Sequence, residues 1–86
     1  MLAIANKWNW GVFMNLSLVE ERKEYIIKDI QVDDEELNSF LFSLGCYSGE
    51  KITVIQHIKG GSIVVIKDAR YSIDNALAKA IIVDNK

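Results

Sequence analysis

One cysteine and one histidine, Cys46 and His57, are the only soft metal ligands or strong nucleophile–base candidates in this 86-residue chain. A lone cysteine excludes an internal disulfide, which suits a reducing cytosol. A structural zinc site needs about four ligands with paired spacing such as C-x2-C, and two residues cannot close that sphere. A Cys–His catalytic pair would also need a third group to orient the base. No Ser/His/Asp arrangement or paired carboxylates supply another route. No apolar run approaches the ~18 residues that span a bilayer. The first residues carry no early positive charge and no proper apolar stretch before Ala3-Ile4-Ala5, so they do not read as a secretory signal. Without secretion, the match of Asn15-Leu16-Ser17 to the glycosylation pattern has no meaning.

Half of the residues are hydrophobic and 26% are charged. A chain of this length makes one small domain that buries about two-thirds of its unfolded surface, so most apolar residues must serve the core. Net charge is −2 but unevenly placed: residues 1–50 hold four Lys/Arg against nine Asp/Glu, and residues 51–86 hold six against three. The basic half is too sparse for a nucleic-acid surface, which needs a dense patch; a solvated mixed-charge surface fits it better.

From Trp8 to Leu16 the alternation Trp8, Trp10, Val12, Met14, Leu16 has a period of two, an extended pattern. Two readings stay open for it: an upstream extension, with Met14 as the initiator, or a strand that docks two tryptophans on the domain or on a partner. Glu20 to Glu24 is a charged turn. Tyr25 to Ile30 reads as a strand rich in β-branched and aromatic residues.

The clearest element is a helix over 34–44. Asp33 is the expected N-cap, with Glu36 at capping-box spacing. Asp34, Glu35 and Glu36 in the first turn suit the positive end of the helix dipole, which explains this acidic cluster better than a metal does. Leu37, Phe40, Leu41 and Leu44 form one apolar stripe, and Gly45 supplies the left-handed residue that stops the helix. Ile52 to Ile58 follows as a strand with Ile52, Val54 and Ile58 on one face and Thr53, Ile55 and His57 on the other. Lys59-Gly60-Gly61-Ser62 is a turn. Ile63 to Ile66, apolar on both faces, reads as a covered strand. Ala69 to Ile73 is the next strand, Asp74 caps a helical turn ending near Ala80, and Ile81 to Val83 is the last strand. The sum is a mainly β fold: about five short antiparallel strands in a small barrel, with one α-helix between the first two. The expected core is Leu37, Leu41, Leu44, Ile52, Val54, Val65, Tyr71, Ile73 and Ile81.

Leu37-x-x-Phe40-Leu41-x-x-Leu44-Gly45, then Gly49, Ile52-Thr53-Val54-Ile55, Gly60-Gly61, Ile63-Val64-Val65-Ile66 and Leu77-Ala78-x-x-Ile81-x-Val83 follow in an order that resembles the FeoA family. These are small SH3-like proteins that accompany the ferrous-iron permease FeoB. The resemblance covers roughly residues 16–84 and divides the chain into an N-terminal extension, 1–15, and a FeoA-like SH3-like domain, 16–86. Where the family carries a glycine, this chain has the charged turn Glu20–Glu24, and Cys46 stands where an apolar residue is usual. The resemblance implies a cytosolic accessory of ferrous-iron transport that contacts the cytoplasmic GTPase region of a FeoB-type permease. An alternative is a relative of the SH3-like C-terminal domain of iron-dependent repressors of the diphtheria-toxin-repressor type, although residues 1–24 cannot supply their helix-turn-helix.

No catalytic residue, no metal site and no cofactor is expected, and no nucleic acid or direct membrane insertion. Cys46 is expected to pack as a small hydrophobe and His57 to lie solvated on the outer face. Gly45 to Gly49 lacks the Lys-Ser/Thr of a phosphate loop. The residues left for partner binding are Phe42, about 140° from Leu37 around the helix, Tyr47 just past the helix end, and the hairpin tip Lys59, Gly60 and Gly61.

Overall fold

The computed structural model describes residues 13–84; the alternating tryptophans Trp8 and Trp10 lie outside them. In chain order the elements are β1 (Phe13–Asn15), a 3-10 turn (Leu16–Leu18), β2 (Glu24–Ile30), α1 (Glu35–Leu44), β3 (Lys51–Ile58), β4 (Gly61–Ile66), β5 (Ala69–Asp74), α2 (Asn75–Ala80) and β6 (Ile81–Asp84). The six strands form one antiparallel sheet in the order β1-β6-β2-β3-β4-β5. It is mainly β and SH3-like, with the helix between the first two long strands. The sixth strand is β1, three residues that pair with β6 through Met14 and Val83.

The two halves of the sheet meet on β2. Tyr25 pairs with Ile52 of β3, and Ile27 pairs with Val83 of β6, with a bulge between Ile27 and Asp29. A strand that changes neighbours part-way along bends the sheet around one core. Leu16, Ile27, Leu41, Ile52, Val54, Val64, Ile81 and Val83 fill that core, joined by Val19, Tyr25, Cys46, Ile66 and Ala78.

Three local expectations shift. The N-cap of α1 is Asp34, not Asp33: its Oδ1 accepts the Leu37 N–H at 3.1 Å. Either aspartate satisfies the cap rule, and the helix begins one residue later than the rule placed it. Val65 is half-buried while Val64 and Ile66 are buried. Four consecutive apolar residues have no internal phase, and the two-residue turn Lys67–Asp68 sets it by pairing Ile66 with Ala69. In β3 a register shift between Val54 and Gln56 reverses the alternation. His57 therefore turns toward the half-buried side and Ile58 becomes exposed, opposite to the expected faces.

The end of α1 follows the glycine rule closely. Gly45 sits at φ 94°, its N–H reaching the Phe42 carbonyl at 3.0 Å while the Cys46 N–H reaches that of Leu41 at 2.8 Å. This Schellman pairing satisfies carbonyls that the helix end would leave open. Only Leu41 of the helix is fully buried; Leu37 and Leu44 are half-buried and Phe40 is 57% exposed.

Candidate functional site

The five residues that the sequence singles out for partner binding fall in two places. Phe42 and Tyr47 come together where α1 ends. Phe42 is 65% exposed, and its ring centroid lies 4.6 Å from that of the half-buried Tyr47, with the planes tilted by 32°. The Schellman turn makes this contact, because it reverses the chain within two residues and brings position 47 back against the last helical turn. Lys67 completes the cluster from the β4–β5 turn. Its Nζ is 6.0 Å from the Tyr47 ring centroid and 3.1 Å from Glu50 Oε1. The Glu50 carboxylate raises the Lys67 pKa by hydrogen bond and by charge, so the cation persists across the physiological range.

Sequence reasoning missed Lys67 and Glu50. The turn Lys67–Asp68 has positive φ at both positions, 49° and 68°, the geometry of a two-residue hairpin usually made by Asn-Gly or Asp-Gly. Nothing in Ile66-Lys67-Asp68-Ala69 signals that turn to a reader of the sequence.

Lys59, Gly60 and Gly61 lie at the other end of β4, about 20 Å away along a six-residue strand. Lys59 and Gly60 are exposed, but Gly61 is buried. A Cβ on Gly61 would overlap the Ile73 carbonyl oxygen, so this glycine serves the β4–β5 contact and offers no side of its own to a partner.

The expectation of a solvated His57 is corrected here. Its Nε2 is 2.7 Å from the Val19 carbonyl oxygen and its Nδ1 is 3.1 Å from Ser62 Oγ. A carbonyl only accepts, so Nε2 carries a proton. Its backbone N–H donates to Glu21 Oε2 at 2.8 Å. His57 thus clips the 19–21 segment to the β3–β4 hairpin, with both ring nitrogens engaged. Cys46 is buried in the core, and burial pushes its thiol up to about 11. Among the described residues no group of three or more His, Cys, Asp or Glu could hold a metal ion.

An apolar groove of about 600 Å³ opens between α1, α2 and β5. Leu37, Phe40 and Leu44 of α1 line it, with Tyr71 and Ile73 of β5 and Leu77 of α2. It explains why four residues expected in the core are only half-buried: Leu37, Leu44, Tyr71 and Ile73 line an open space. Among the described residues no helix is long and apolar enough to cross a membrane.

Such a small curved antiparallel sheet with one inserted helix is an SH3-like module without an assembled catalytic constellation among its described residues. The family model for the FeoA domain matches residues 14–85, and the chain belongs to the FeoA family. A crystal structure described as an iron uptake regulatory protein (FeoA) superposes with a TM-score of 0.74 at 23% identity, covering 84% of this chain and 96% of that one. The solution structure of iron(II) transport protein A from Clostridium thermocellum matches with a TM-score of 0.74 at 25% identity, over 83% of this chain and 44% of that one. A manganese-dependent transcriptional repressor shares the fold with a TM-score of 0.75 at 19% identity, over 84% of this chain and 41% of that one. The chain thus spans less than half the length of those last two proteins. No curated protein sequence matches it.

Proposed function

We propose that this protein is a cytoplasmic accessory of ferrous-iron transport that works by contact with a FeoB-type permease, at its cytoplasmic GTPase region. Membership of the FeoA family over residues 14–85 is the observation that carries this reading. The module, residues 16–86, acts as a binding body and not as an enzyme, and residues 1–15 are an extension to it. On this reading it needs no catalytic set, no cofactor and no transition metal at a defined site in order to act.

The exposed pair Phe42 and Tyr47, flanked by Lys67, is the favoured contact surface. Aromatic side chains are enriched at protein interfaces, with tyrosine among the residues that most often form their hot spots. The hairpin tip at Lys59 and Gly60 is the second candidate surface, because exposed loops on a rigid scaffold commonly carry recognition.

A direct binding assay with the cytosolic domain of the cognate permease tests the proposal. Phe42→Ala with Tyr47→Ala should weaken binding at least tenfold while the unfolding midpoint moves little, and Lys59→Glu tests the tip. Wild-type affinity in both variants would remove both surfaces. No binding by the wild-type chain would remove the permease as partner.

A second reading, a domain related to the C-terminal module of metal-dependent repressors, is favoured by the likeness to the manganese-dependent repressor. It predicts that the chain associates with a helix-turn-helix protein and not with the permease.

A further inference from the structure

β5 is bonded to β4 on one side and to no strand on the other among the described residues. Its register shows which backbone groups are left over. The two-residue turn closes on Ile66 and Ala69, which in such hairpins exchange both of their hydrogen bonds. Bonded and non-bonded pairs then alternate. Ala69, Tyr71 and Ile73 therefore point their N–H and C=O groups at β4, while Arg70, Ser72 and Asp74 point theirs outward. No other backbone bond takes up the outward groups of Arg70 or Ser72 among the described residues. All three outward residues are exposed. The groove described above runs along this edge, from Tyr71 to Asp74.

We infer that this edge is the interface of a homodimer, in which β5 of a second copy adds antiparallel to β5 about a two-fold axis at Ser72. The register argues for a second copy as the occupant. With Ser72 opposite Ser72, the outward residue Arg70 falls opposite Asp74 of the second copy, and Asp74 opposite Arg70. The Ser72 pair can exchange both of its bonds, while in each flanking pair the Asp74 N–H donates to the Arg70 carbonyl of the other copy, the Asp74 carbonyl being taken by the first turn of α2. Directly opposed side chains approach to about 5 Å, where opposite charges attract and like charges repel.

The charges are free for that role. Among the described residues Arg70 has no carboxylate within ion-pair distance, as neither ion pair involves it. The Asp74 Oδ1 accepts the Leu77 N–H at 2.8 Å, which leaves Oδ2 for a guanidinium. On the opposite face the same register sets Tyr71 across from Ile73 of the second copy. Both are half-buried in the isolated chain, and this pairing covers the apolar groove wall. Edge strands are normally protected by charges that discourage pairing. Here the two charges have opposite sign and a spacing that makes the edge complementary to itself, which is what an isologous interface requires.

Sedimentation velocity of the full chain over a concentration series tests the inference. The wild-type chain should show a concentration-dependent dimer. Arg70→Glu sets Glu opposite Asp74 twice and should weaken the dimer at least tenfold, with circular dichroism and melting little changed, since among the described residues neither ion pair involves the exposed Arg70. Asp74→Lys alone should also be monomeric. An equal mixture of the two variants should dimerise again, because both opposed pairs regain opposite charge. Ser72→Pro removes an outward N–H without touching the β4 ladder and should abolish the dimer, even if Asp74→Lys fails to fold for want of its cap. A wild-type chain that stays monomeric throughout the series overturns the inference. So does a dimer that survives Arg70→Glu or Ser72→Pro, or a folded charge-swapped mixture that remains monomeric.

Discussion

The aliphatic stem of Lys67 lies over Gly45, where a side chain on the glycine would otherwise stand: a Cβ there would come within 2.8 Å of Lys67 Cδ. The glycine that ends α1 is therefore also the floor on which the Lys67 cation is carried to Tyr47 and Glu50. Gly45→Ala meets two penalties, the left-handed φ of 94° and the displaced lysine. Gly60 has a similar φ of 84° but open space around it. Gly45→Ala should cost more than Gly60→Ala, the latter about 1–2 kcal/mol, and it alone should disturb the Tyr47 ring resonances. Thermal unfolding of the two variants with NMR spectra checks both points.

Leu41 is the one residue of α1 that is fully buried. Leu41→Ala should cost about 2–5 kcal/mol, a large share of a small domain's stability. Urea unfolding measures it; an unchanged midpoint would mean that the helix is not anchored through this residue.

His57 and Ser62 form a pair that is best tested together. Ser62 is fully buried, with its hydroxyl against Nδ1 of His57. His57→Leu leaves that hydroxyl without this partner and should cost about 1–3 kcal/mol. Adding Ser62→Ala should recover part of the loss. A double-mutant cycle with no coupling would show that the contact between Nδ1 and the Ser62 hydroxyl adds nothing to stability.

Burial raises the Cys46 thiol from 9.0 to about 11, so the fold favours the protonated form. Its contribution is complete below the unfolded value and is lost as pH rises from about 9 to about 11. Stability measured across that window should fall, and Cys46→Ala should flatten the decline. The native thiol should react slowly with alkylating reagents at pH 8, because little thiolate is present and the side chain is enclosed.

Arg22 holds a φ of 63° in the charged turn before β2, a conformation that costs a residue with a side chain about 1–2 kcal/mol. Its N–H donates to the Val54 carbonyl at 2.6 Å, which fixes it there. Arg22→Gly should raise stability by up to about 1 kcal/mol once the greater freedom of glycine in the unfolded chain is deducted. A lower unfolding midpoint would mean that the arginine side chain compensates for the strain.

Much of this architecture was legible because neighbouring residues announce it. The stripe Leu37-Leu41-Leu44 and Gly45 give the helix and its end, and Asp74 caps α2 by accepting from Leu77, as the sequence implied. Phase was harder to see. Whether Val64 or Val65 faces the core depends on a turn whose residues carry no turn signature. The facing of His57 depends on a bulge that only the pairing with β4 creates. The aromatic pair was visible because helical rotation sets Phe42 off the stripe, whereas Lys67 and Glu50 arrive from separate turns. The groove was hidden for the same reason: Leu37 and Tyr71 each read as core, and only the packed chain reveals that the two walls stand apart.

The division of β2 between two neighbours also governs how the chain acquires its shape. Ile27 needs Val83 and Tyr25 needs Ile52, so the middle of the sheet joins residues from opposite ends of the sequence. The β3–β4–β5 meander can form from local contacts within microseconds. The β6–β2 ladder must wait for a long loop to close, at an entropic cost that no nearby contact offsets. Folding should accordingly be limited by the arrival of β6, on the millisecond-to-second scale of topologies dominated by distant pairings. Until then the apolar side of β2, Tyr25 and Ile27, stands without its cover, and that interval is when the chain is most open to association with the wrong neighbour.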